Sequence, residues 1–219
     1  MNQLIFKFPF KTKYYEQDYY VSSNNFLAYK LIESWPNWPG KWVNIFGPKG
    51  CGKTHLSNIL KKRISTTKIV EAKNLGDKKL QELKNFECLI IDNYKKNIEE
   101  KLLYSLLNQS KQVDSYIVIN SNLPIKNLRY DLKDLKSRAE SFVELGIELP
   151  TDDLLRVIIT KYFSDKQINV TPKISEYIIK NIERSYEKVF KFIKEIDDLS
   201  LSSGKSININ LIKKVLTNE

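Results

Sequence analysis

Histidine, cysteine and arginine are scarce in this chain. Its 219 residues include one histidine, His55, and two cysteines, Cys51 and Cys88. Neither a disulfide framework nor a zinc-binding spacing can be assembled from so few ligands. No run of about 18 apolar residues occurs, so the sequence offers no membrane-spanning helix. The start, Met1-Asn2-Gln3-Leu4, lacks the basic-then-apolar layout of a secretory leader. A soluble, cytoplasmic protein with no membrane partner is expected. Of 36 cationic residues only Arg63, Arg129, Arg138, Arg156 and Arg184 are arginines, leaving 31 scattered lysines. The formal charge of +10 therefore has two readings. It is either the surface that an AT-biased genome writes, or a weak attraction to nucleic acid. No Lys/Arg block with interleaved aromatics is present, so DNA contact would be indirect, or non-specific and salt-sensitive.

Apolar residues make up 42% of the chain, with 12 tyrosines and 10 phenylalanines, enough for a packed core. Extended and helical patterns alternate over the first two-thirds, which predicts a parallel sheet flanked by helices. The expected strands are Val43–Phe46, Ile69–Glu71, Cys88–Ile91, Tyr116–Asn120 and Phe142–Leu149. The expected helices are Asn24–Ser34, Thr54–Ile64, Leu75–Asn85, Ile98–Lys111 and Leu132–Glu140. Beyond Pro150 the pattern is helical throughout, with Thr151 and Thr171-Pro172 as helix starts and Asn208 near the start of a last one. The predicted organisation is a leading peptide and linker over 1–16, an α/β nucleotide-binding domain over 17–149, and a small all-α lid over 150–219.

The segment Gly47-Pro48-Lys49-Gly50-Cys51-Gly52-Lys53-Thr54 reads G-x-x-x-x-G-K-T. It follows the apolar run Trp42–Phe46 and opens a helical pattern at His55. Glycines allow successive backbone N–H groups to face phosphate oxygens, and the following helix directs its positive end at the same anion. Lys53 is expected to reach the β- and γ-phosphates, and Thr54 to ligate Mg²⁺. A second apolar strand ends in Asp92, the expected metal carboxylate. The residue after it, where an acid would polarise the attacking water, is Asn93. An amide is not a general base, so weak or absent self-hydrolysis is predicted, with Glu99 or Glu100 as distant substitutes. Asn122 follows a third buried strand and is either a γ-phosphate contact or an ordinary turn residue before Leu123-Pro124.

Together these pieces resemble the initiator branch of the AAA+ ATPases, typified by DnaA. The resemblance is carried by Gly52-Lys53-Thr54-His55-Leu56, Ile91-Asp92, Asn122-Leu123-Pro124 and Asp134-Leu135-Lys136-Ser137-Arg138, in the family's order. Tyr20-Val21-Ser22-Ser23-Asn24-Asn25 resembles the upstream segment that lines the adenine pocket, implying roles for Tyr20, Val21 and Asn25. It covers about residues 17–219 and implies an AAA+ fold that holds ADP or ATP, with Mg²⁺, between core and lid. Arg138 becomes an arginine finger acting in trans on a neighbour's nucleotide. Arg184, in Arg184-Ser185-Tyr186-Glu187-Lys188-Val189-Phe190, matches the lid's phosphate-sensing arginine but lacks the small residues that follow it in the family. No helix-turn-helix segment follows the lid, so origin reading is not expected.

Gln3-Leu4-Ile5-Phe6-Lys7-Phe8 resembles the hexapeptide by which bacterial proteins enter the groove of the DNA polymerase III sliding clamp. Gln3 would be the polar anchor, and Leu4, Phe6 and Phe8 would fill apolar pockets. The alternation also suits an edge strand. Ahead of an initiator-like core, the peptide gives the arrangement of the Hda-like regulators in this branch. That resemblance implies a regulator of replication initiation that docks on the clamp and stimulates ATP hydrolysis by DnaA. Alternatives are a helicase-loader-like ATPase and a stand-alone nucleotide-hydrolysing enzyme. A phosphate loop and an outward arginine on one chain also leave head-to-tail self-assembly open.

Overall fold

The computed structural model describes residues 14–76, 85–204 and 206–216. The Gln3–Phe8 peptide and most of the predicted Leu75–Asn85 helix lie outside the described residues. The chain divides into two compact units, with the boundary between Glu148 and Leu149.

The first unit is an α/β layer. Its strands are β1 (Trp42–Phe46), β2 (Thr67–Glu71), β3 (Cys88–Tyr94), β4 (Tyr116–Ser121) and β5 (Val143–Gly146). They form one parallel sheet in the order β2-β3-β4-β1-β5. Parallel strands covered on both faces need apolar residues at every position rather than at alternate ones. Val43, Ile45, Ile90, Ile91, Val118 and Ile119 meet that need and are fully buried. The described helices of this unit are α1 (Phe26–Glu33), α2 (Lys53–Arg63), α3 (Glu100–Gln112) and α4 (Lys133–Glu140). Leu103, Leu106 and Leu107 of α3, spaced for one helix face, pack with Leu89, Ile91, Ile117 and Ile119 of the sheet and with Leu135 of α4.

Three predicted boundaries shift for local reasons. Helix α1 begins at Phe26 instead of Asn24 because the two asparagines use their side chains in the preceding turn. Asn25 Oδ1 accepts from Ser22 N at 2.9 Å, and Asn25 Nδ2 donates to Tyr20 O at 2.9 Å. Strand β5 ends at Gly146 because pairing with β1 stops there: Ile147 N still donates to Phe46 O of β1, but Glu148 N turns to Asn24 O. Strand β3 runs on to Tyr94 through a bulge: Asn93 has φ 58°, and the β3–β4 register shifts between Ile91 and Tyr94.

The second unit holds α5 (Asp152–Ser164), α6 (Pro172–Asn181), α7 (Tyr186–Ser203) and α8 (Ile209–Leu216). Thr151 Oγ1 caps α5 by accepting from Leu154 N, and Asn208 Oδ1 accepts from Leu211 N at the start of α8. Gly204 terminates α7 at φ 63°, a left-handed conformation that glycine adopts without steric cost. Leu155, Ile159, Phe163, Ile178, Val189, Phe192, Ile193 and Ile212 form its core. Among the described residues no helix is long and apolar enough to cross a membrane.

Candidate nucleotide site

The sheet order places β4 between β1 and β3, so the connection leaving β1 crosses to the far side of the sheet. A crevice opens at the carboxyl ends of strands where connections diverge in this way. The Gly47–Thr54 loop leaves β1 at that edge and runs into α2. A Cβ on Gly47 would lie 2.4 Å from the Ile147 carbonyl oxygen, so no other residue fits there without moving backbone. Gly52 caps α2 at φ 101°, and a Cβ there would meet the Tyr19 ring at 2.9 Å. Lys49 and Gly50 form the exposed apex, while Pro48 is half-buried and Cys51 buried. Burial also pushes the Cys51 thiol up in pKa, which leaves it a packing residue rather than a nucleophile.

Lys53 is 8% exposed. Its ammonium lies under the loop, donating to Gly47 O at 2.7 Å and Pro48 O at 2.9 Å. Thr54 Oγ1 donates to Asp92 Oδ2 at 2.8 Å, so the loop's hydroxyl and the strand's carboxylate are together. Asp92 is 3% exposed. Its other oxygen accepts from Asn120 Nδ2 at 3.0 Å and from the Asn93 N–H at 3.0 Å. The Thr54 hydroxyl and the Asp92 carboxylate are hard oxygen donors of the kind Mg²⁺ takes, and that ion commonly completes its shell with water and substrate phosphate. Among the described residues no group of three His, Cys, Asp or Glu side chains gathers to hold a metal. Thr54 and Asp92 would therefore hold Mg²⁺ only together with phosphate oxygens and water.

Two buried amides in this site were not legible as functional in the sequence. Asn120, fully buried in β4, bridges Asp92 and Ser57 Oγ, the latter at 2.7 Å, and its own Oδ1 is buried without a partner. Asn44, fully buried in β1, donates to Ile119 O and Ser121 Oγ and accepts from Ile125 N. It pins the turn that carries Asn122, an exposed residue just beyond β4. A polar residue inside an otherwise apolar strand was the available signal for both. Asn44→Ala would strip partners from buried backbone groups at roughly 1–3 kcal/mol each. A loss of about 2–4 kcal/mol is expected in denaturant unfolding; an unchanged midpoint would show that the amide does not hold the turn.

The other expected contacts fall in three places. Tyr20 is exposed and Val21 half-buried in the turn fixed by Asn25, upstream of α1. His55 packs edge-on against Tyr14 and Tyr19, and its Nε2 bonds the Tyr15 carbonyl at 2.6 Å, which ties the 14–19 segment to α2. Arg184 lies in the loop before α7, not within a helix, and is ion-paired with Asp152 at 3.0 Å. Both side chains of that pair are about half exposed, and such a surface pair is worth about 0–1 kcal/mol and is readily given up.

Arg138 occupies the opposite edge of the sheet from its own phosphate loop. Its guanidinium stacks over the rings of Trp42, at 5.7 Å, and Tyr104, at 4.9 Å. Trp42 is the first residue of β1, whereas the loop follows the last, Phe46. At about 3.3 Å per residue the strand alone separates these ends by roughly 13 Å. Arg138 lines a cleft of about 660 Å³ with Lys41, Trp42, Tyr104, Lys111 and Asp134.

With β4 between β1 and β3, and a phosphate loop whose threonine bonds the β3 carboxylate, the first unit has the arrangement of a P-loop nucleotide-binding domain of the AAA+ class. Among known proteins it is DnaA-like. DnaA from Buchnera aphidicola subsp. Baizongia pistaciae is 28% identical over 246 residues, covering 99% of this chain and 53% of that protein. Domain III of Thermotoga maritima DnaA superposes with a TM-score of 0.79 at 18% identity, covering 96% of this chain and 98% of the domain. AMPPCP-bound DnaA from Aquifex aeolicus gives a TM-score of 0.68 at 20% identity over 89% of this chain and 68% of that one. A family model described as RNA helicase matches residues 43–134, the stretch that holds the phosphate loop and Asp92. The chain spans about half the length of the DnaA proteins it matches. It thus carries an AAA+ fold like that of DnaA domain III.

Proposed function

We propose that this chain binds an adenine nucleotide at Gly47–Thr54 and acts as an Hda-like regulator of replication initiation. In this reading Gln3–Phe8 docks on the sliding clamp, and Arg138 is presented to ATP bound by DnaA. The observation that carries it is the position of Arg138, at the sheet edge remote from its own phosphate loop and beside an open cleft. A guanidinium so placed serves a nucleotide held by another molecule. AMPPCP on the Aquifex DnaA structure supports the choice of adenine nucleotide, and Thr54 with Asp92 supports Mg²⁺ as its companion.

The chain's own phosphate loop then acts chiefly as a structural ligand site. Two arms test the reading. Clamp loaded on DNA should retain the full chain in a pull-down, and Phe6→Ala and Phe8→Ala should each release it; retention unaffected by both changes sinks the docking claim. Hydrolysis of ATP held by DnaA should rise with the wild-type chain and not with Arg138→Ala.

A further inference from the structure

The site lacks the acid expected after Asp92, yet a carboxylate stands beside that position, contributed by the neighbouring strand. Glu71 is the last residue of β2 and pairs in register with Asp92. Asn93, bulged out of regular β3 geometry at φ 58°, donates from Nδ2 to both oxygens of Glu71, at 3.0 and 3.1 Å. Its donor is a neutral amide. One bond to each oxygen leaves further lone pairs free for water. The acid and the amide face each other at the carboxyl edge of the sheet, next to the Thr54–Asp92 pair.

The acids that the sequence suggested as substitutes are less well placed. Glu100 accepts from Leu132 N at 2.8 Å and Asp131 N at 3.0 Å and pairs with Lys96 at 3.2 Å. These contacts, the Leu132 N–H foremost, hold its carboxyl below the usual range. It is occupied in fastening the chain just ahead of α4. Glu99 is the exposed residue that precedes α3.

We propose that Glu71 is the carboxylate that polarises the attacking water in this chain's own nucleotide hydrolysis, with Asn93 as its positioning residue. This rests on the nucleotide site proposed above. In the step, the water oxygen bonds to the γ-phosphorus of ATP and the bond from that phosphorus to the β–γ bridging oxygen breaks. The water proton passes to Glu71 and then to solvent, leaving ADP and inorganic phosphate. Slow turnover follows from a carboxylate approaching from β2 rather than β3, not from the absence of one.

The test uses the full chain and pairs two readouts, binding of fluorescent ATP and ADP analogues and hydrolysis of ATP. Glu71→Gln should bind both nucleotides within about 3-fold of wild type but hydrolyse ATP about 10²-fold or more slowly, the lower end of general-base effects. Asn93→Ala should lower kcat with KM unchanged, and Glu99→Gln should behave as wild type. Wild-type turnover in Glu71→Gln, equal slowing in Glu99→Gln, or firm binding without any hydrolysis by the wild type overturns the assignment while leaving the nucleotide site standing. Absence of nucleotide binding by the wild type removes that site, and this inference with it.

Discussion

Lys53→Ala is expected to weaken binding of ATP and ADP by about 10²- to 10³-fold. The ammonium is almost wholly buried beneath the phosphate loop, held by the Gly47 and Pro48 carbonyls. In the proposed nucleotide site it is the cation that would reach the phosphates. Truncating one partner of a buried, hydrogen-bonded charge pair costs about 2–5 kcal/mol, which at about 1.4 kcal/mol per decade brackets the stated loss. The same bonds brace the loop itself, so thermal unfolding is measured in parallel. Thr54→Ala supplies a variant in which the Lys53 brace is intact. It should lose the Mg²⁺-dependent part of ATP affinity, because Asp92 is left without the hydroxyl at 2.8 Å. Titration of a fluorescent nucleotide with and without Mg²⁺ reads both, and affinity unchanged in Lys53→Ala would refute the site.

Arg138→Ala is expected to abolish stimulation of DnaA while leaving this chain's own nucleotide affinity unchanged. An arginine supplied in trans to a phosphoryl-transfer site accelerates it by about 10³–10⁵-fold in well-studied cases, and the loss should approach the whole of whatever stimulation the wild type gives. The stacking on Trp42 and Tyr104 does not lock the guanidinium away. A cation–π contact at a partly exposed site is worth about 0.5–1 kcal/mol, less than a charge-assisted hydrogen bond at about 1.5–3 kcal/mol. On the proposed reading, the rings hold the arginine in position until a triphosphate displaces them. Tyr104 is itself bonded to Asn108 and Arg138, which lowers its phenol's pKa. Arg138→Lys keeps the charge but loses the planar fork, so it should recover little activity. A pre-steady-state assay of ATP preloaded on DnaA separates the variants; full stimulation by Arg138→Ala would show that another residue supplies the charge.

Much of the fold was legible because its signals are local. Continuous apolar runs at Cys88–Ile91 and Tyr116–Asn120 marked buried parallel strands, and the loop motif fixed where β1 ends and α2 begins. Thr151, Pro172 and Asn208 marked helix starts through capping chemistry that involves only near neighbours. What stayed hidden depends on distant partners. The partners of Asn44 and Asn120 are set only when β1, β3 and β4 come together and give each amide its bonds. Glu71 read as the end of a strand because its partner, Asn93, is 22 residues away and reaches it only through a bulge. Asn93 itself marked a missing acid in the sequence, but the sequence had no means of showing where an acid had gone. Arg138 was singled out by its motif alone, whereas its rings, Trp42 and Tyr104, come from a strand and a helix far apart in the chain.

The central claim is that this protein acts on another protein's nucleotide. It is tested most directly by single-turnover hydrolysis of labelled ATP preloaded on DnaA, with the wild-type chain and clamp-loaded DNA added together and separately. The account predicts a saturable acceleration that needs both the chain and the loaded clamp. An unchanged rate at saturating chain would contradict it.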